Sequence, residues 1–63
     1  MRYMVWESPT SGEFIFADKV VVGKEAIYFI KEHRTWEETI KFYLRKEFEK
    51  HNELPKGYIT LND

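Results

Sequence analysis

Sixty-three residues with no cysteine and two histidines eighteen positions apart exclude a disulfide scaffold and leave little basis for a structural metal. Ten Lys and Arg against eleven Asp and Glu leave a net charge of −1, without the basic excess that gives duplex-DNA binders most of their affinity. Eleven aromatic residues remain to stabilise a single domain over residues 1–63, each ring able to bury about 150–250 Å².

No apolar run approaches the roughly 20 residues that cross a bilayer, and Met1–Glu7 is too short and interrupted for a secretory signal. The expectation is a cytoplasmic protein with no membrane partner. Glu outnumbers Asp nine to two and Lys outnumbers Arg seven to three. That bias runs in the hyperthermophile direction, and it arises equally in AT-rich genomes, so a viral or mobile-element source fits as well.

In chain order, Arg2–Glu7 reads as a strand, with Tyr3 and Val5 alternating against Met4 and Trp6. Ser8–Gly12 gathers turn formers, and Glu13–Ala17 reads as the returning strand of a hairpin. Asp18–Lys19 turns or bulges the chain, and Val20–Val22 continues extended. Lys24–His33 admits two readings. It can be a short helix carrying Ala26, Ile27, Phe29 and Ile30 inward; or Gly23–Lys24 can be a hairpin turn before a strand Ala26–Ile30. Glu25, Ala26, Lys31 and Glu32 tip the reading to the helix.

Thr35 and Glu38 have capping-box spacing, which predicts a long helix from Trp36 to about His51. Trp36, Ile40, Tyr43, Leu44 and Phe48 would form its apolar stripe, and Glu37–Lys41 and Arg45–Glu49 its solvated pairs. Asn52 would close it in the left-handed conformation. Leu54–Gly57 reads as a turn and Tyr58–Leu61 as a last strand, with Ile59 and Leu61 on one side. The predicted fold class is therefore α+β: a small antiparallel sheet, made of the N-terminal hairpin plus the C-terminal strand, with a short and a long helix packed on one face.

That plan leaves apolar surface uncovered, because both hairpin strands carry large apolar residues on both faces and the helices cover one. The expected contact surface comprises Met4, Trp6, Ile15, Phe16 and Phe42, the last lying off the helical stripe. Curling of the strand ends under loops is the competing account of Trp6. The function expected is a small, non-enzymatic protein-binding or regulatory protein, with a homodimer as its simplest form.

Catalysis draws no support. Glu47 and His51 share a helical side but lack a third ligand, no Gly-rich phosphate loop is present, and Ser8 and Ser11 have no His–Asp partners nearby. No cofactor or metal is called for. The rival class is nucleic-acid binding through Arg34, Lys41, Arg45, Lys46 and Lys50, either as a recognition helix or with sheet aromatics stacking single-stranded bases. Glu38 and Glu49 interrupt that basic surface, and the helix would open on Trp–Glu–Glu.

Overall fold

The computed structural model of the chain describes residues 2–7 and 14–61. These form strands β1 (Tyr3–Glu7), β2 (Phe14–Ala17), β3 (Lys19–Val22), β4 (Ala26–Glu32) and β5 (Glu37–Leu44), a single helix α1 (Arg45–His51), and β6 (Ile59–Thr60). The α+β plan of helices laid on one small sheet is overturned. The molecule is mostly sheet, with β1 and β2 as one antiparallel pair and β5-β4-β3-β6 as a separate four-stranded mixed sheet.

Two predicted helices fail for one reason. Ile27, Tyr28, Phe29 and Ile30, like Thr39, Ile40, Phe42 and Tyr43, are branched or aromatic residues that favour a pleated, half-buried surface. Each segment gives the other its hydrogen-bonding partner: β4 and β5 pair antiparallel from Ala26↔Leu44 to Glu32↔Glu37, with a bulge between Phe29 and Ile30. Lys24–His33 thus takes the strand reading, introduced by a turn in which Gly23 N–H donates to the Ala26 carbonyl at 2.8 Å. Thr35 and Glu38 form no capping box. His33–Trp36 is the hairpin connection, closed by His33 N–H donating to the Trp36 carbonyl at 2.8 Å.

Of the long helix only the last seven residues are helical, with Leu44 at the N-cap position and no side-chain cap. Its Arg45–Glu49 pair forms at 2.9 Å. Glu37, expected to pair with Lys41, accepts instead from Lys19 at 2.7 Å. Asn52 ends the helix as expected but in extended conformation (φ −138°), with both its backbone and side-chain N–H groups donating to the Phe48 carbonyl.

Strands β1, β2, β3 and the final strand stand where the alternation placed them; the expected turn Ser8–Gly12 lies outside the described residues. β1 and β2 pair antiparallel, Tyr3 opposite Ala17. At Asp18 the chain leaves this pair for the larger sheet, its N–H donating to the Ile30 carbonyl and its carboxylate accepting from Glu32 N–H. The C-terminal strand joins not the hairpin but β3, and it does so parallel, Val21 opposite Ile59. The turn before it uses Gly57 at φ +79°, a conformation costly for residues with a Cβ.

The core lies between the β1–β2 pair and α1 on one side and the four-stranded sheet on the other. Ala17, Val20, Val22, Ile27 and Phe29 are buried, with Tyr3, Val5, Ile40, Tyr43, Phe48 and Leu54 packed around them. Tyr43 meets Phe29 edge-on at 5.8 Å, and Phe48 of α1 lies 5.3 Å from Tyr43 and 6.1 Å from Phe29. The Tyr43 hydroxyl donates to the Val5 carbonyl at 3.4 Å, tying the two sheets together.

Candidate interaction surface

Covering one face of the four-stranded sheet leaves the other open, and strand alternation decides what it carries. Buried Val20 and Val22 flank Val21, and buried Ile27 and Phe29 flank Tyr28, so Val21 and Tyr28 point outward. Register carries the outward set across the sheet. Tyr28 pairs with Phe42, and Ala26 with Leu44, while Val21 pairs with Ile59. Leu61 follows Ile59 by two and reaches the same end of the face as Tyr28, both lying beside Gly23. Phe42 and Leu44 are each 60% exposed, Ile59 50% and Leu61 47%. Tyr28 and Phe42 hold their rings 6.4 Å apart and tilted by 35°.

The far end of this face is ionic. Lys19 pairs with Ile30, and Glu32 with Glu37, along the same outward rows. Lys19 Nζ donates to Glu37 at 2.7 Å and lies 3.6 Å from Glu32. Its pKa is raised from 10.5, chiefly by the hydrogen bond to Glu37 and against a smaller desolvation effect. The outer face thus runs from an apolar field at the Leu44–Leu61 end to a self-satisfied ion cluster at the other.

The expected contact residues divide between two surfaces. Phe42 belongs to the large outer face, on a strand rather than a helix. Met4 and Phe16 sit opposite each other on the outward side of the β1–β2 pair, 61% and 38% exposed. The Arg2 guanidinium stands 4.3 Å over the Phe16 ring. The backbones of Trp6 and Ile15 lie in that pair, but their side chains fall outside the described set. Leu44, Ile59 and Leu61 are exposed apolar residues outside the expected contact set. The Ile59/Leu61 alternation was visible; what was missing was that β6 would join the large sheet.

The rival basic residues divide: Arg45 and Lys46 line one concavity with Lys24, and Arg34 stands apart from them. Arg34 is in the hairpin connection, and the eight residues of β5 separate it from Arg45, about 25 Å at roughly 3.3 Å per residue. Lys41 leans over the Tyr43 ring at 5.5 Å. Arg45 donates to Glu49 and to the Gly23 carbonyl, Lys50 donates to Glu47, and Lys46 is exposed on α1.

No family model, curated protein or solved structure matches the chain. Among the described residues no group of three His, Cys, Asp or Glu is placed to hold a metal. Glu47, considered with His51 as a ligand pair, accepts instead from Lys50 at 3.2 Å. His33, expected at a helix end, stacks on Trp36 at 3.8 Å between centroids and bonds Glu38 through Nε2 at 3.0 Å. No helix among the described residues is long and apolar enough to cross a membrane.

Proposed function

We propose that this protein is a small, non-enzymatic protein-binding module of the cytoplasm, a regulator or adaptor that works through the outer face of its four-stranded sheet. The observation that carries this reading is the contiguous field of Phe42, Leu44, Ile59 and Leu61, each close to half exposed or more. Contiguous apolar surface of several hundred Å² is uncommon on a monomer and generally belongs to an interface. The Lys19–Glu32–Glu37 cluster at the end of that field supplies a polar margin that can orient a partner. Nucleic-acid binding draws less support, because Arg45 and Lys50 are already engaged by carboxylates.

The test compares capture of partner proteins by the immobilised full chain, wild type against Phe42→Lys, with Met4→Lys as the control on the opposite surface. Loss of capture in Phe42→Lys alone supports the reading. Equal capture by all three removes it. A salt-dependent shift of mixed oligonucleotides that disappears in Arg34→Ala/Lys46→Ala would favour the rival.

A further inference from the structure

We propose that the outer face of the four-stranded sheet is closed by a second copy of this chain in a two-fold, face-to-face pairing, which rests on the protein-binding reading above and names its partner. The area of this face matches what a second copy needs. Phe42, Leu44, Ile59 and Leu61, with half-buried Val21 and Tyr28 between them, present about 500 Å² of apolar surface. A stable interface of ordinary size takes about 800 Å² from each partner, roughly 60% of it apolar. One face thus supplies the apolar share of one side, and the same face on a second copy supplies the other. That is the requirement of an isologous contact.

The shape of the chain suits the same pairing. The Cα envelope measures 37 × 34 × 17 Å, a slab only two layers thick, since packed sheets lie about 10 Å apart. Stacking two slabs through their large sheets encloses both sheets on both faces, as in a sheet-on-sheet core.

A cation stranded in an apolar contact is costly; two of the cations bordering this face bring their own partners, and Lys24 and Lys46 stand at its Leu44 edge near Glu25 and Glu49. Lys19 is held by Glu37 and Glu32, and Arg45 by Glu49 and the Gly23 carbonyl. The opposite surface differs, because a copy docking over Met4 and Phe16 would have to bury or displace the Arg2 guanidinium.

The experiment is sedimentation equilibrium and thermal unfolding of the full chain, wild type beside Phe42→Lys, Ile59→Lys and Met4→Lys. The wild type is expected to reach twice its 7.7 kDa mass, with Tm rising by roughly 10 °C between about 5 and about 500 µM. Phe42→Lys and Ile59→Lys lose both behaviours, and Met4→Lys keeps both. Because a lysine variant can fail to fold, a mixture of isotope-labelled and unlabelled wild type gives an independent readout. Its filtered NOEs should join the Phe42 ring of one copy to Leu44, Ile59 or Leu61 methyls of the other. A folded 7.7 kDa species with constant Tm throughout the range overturns the second copy. The broader reading survives that result and fails only if Phe42→Lys leaves capture of partner proteins unchanged. A dimer broken by Met4→Lys, or NOEs that run through Met4 and Phe16, overturns the choice of face.

Discussion

The two faces of the four-stranded sheet are built from similar residues and meet opposite fates. Val20, Val22, Ile27 and Phe29 point inward and are no more than 2% exposed; Phe42, Leu44 and Ile59 point outward and are at least half exposed. Side-chain chemistry does not separate them. What separates them is the supply of covering material. The β1–β2 pair and α1 both lie on the inner face, where Tyr3, Val5 and Phe48 pack against the buried cluster. In a chain of this size, the chain's own elements seal one face, and the other stays open to solvent.

Truncating the inner face should have the largest effect. Phe29→Ala removes a ring in contact with Tyr43 and Phe48 and is expected to cost about 3–5 kcal/mol in urea unfolding at any protein concentration. A loss below about 1 kcal/mol would mean that the inner face is not the core. Next comes the turn that leads out of the inner layer. Gly57→Ala places a Cβ at φ +79° and 3.0 Å from the Tyr3 hydroxyl, with an expected cost of about 1–2 kcal/mol by the same measurement.

The outer face should respond less in the dilute chain. Phe42→Ala forfeits one cross-strand pairing with Tyr28, worth up to about 1 kcal/mol. If it rivals Phe29→Ala under conditions where the wild type is monomeric, the contrast between the faces is wrong.

The smallest effect belongs to the ionic end. Lys19→Met removes the ammonium bonded to Glu37 and Glu32, a largely solvated cluster. Because folding raises the Lys19 pKa above 10.5, the wild type's advantage is full below pH 10.5. It is lost as pH rises through the folded value. Thermal melts of both proteins from pH 7 to 12 should therefore converge at the alkaline end. Convergence on acidification instead would assign the effect to the carboxylates.

Much of this architecture was legible in local pattern. Alternation placed β1, β2, β3 and the short β6, and Pro55 and Gly57 marked a turn at Leu54–Gly57, of which Lys56–Gly57 forms the observed part. The middle of the chain misled. Ile40, Tyr43, Leu44 and Phe48 satisfy a helical stripe, and Thr35 and Glu38 have the spacing of a cap, yet Glu37–Leu44 is a strand. Phe42 was the discordant residue: off the stripe of a helix, it is an ordinary outward residue of β5 beside Tyr28. The set of exposed apolar residues widens for the same reason: with 26–44 in strands, Phe42, Leu44 and Ile59 lie on the open face of the larger sheet, while Met4 and Phe16 stay exposed on the β1–β2 pair.

By itself the sequence determined that aromatic and branched residues exceed what so short a chain can enclose, and it located the strands whose signals are local. Tertiary structure decided the state of Ala26–Leu44, the parallel seat of β6 and hence which apolar residues face water. Those outcomes depend on hydrogen bonds between separate segments, β4 with β5 across a short hairpin and β3 with β6 across most of the chain. A strand's stability resides in the neighbour it pairs with, whereas a helix satisfies its backbone within its own turns.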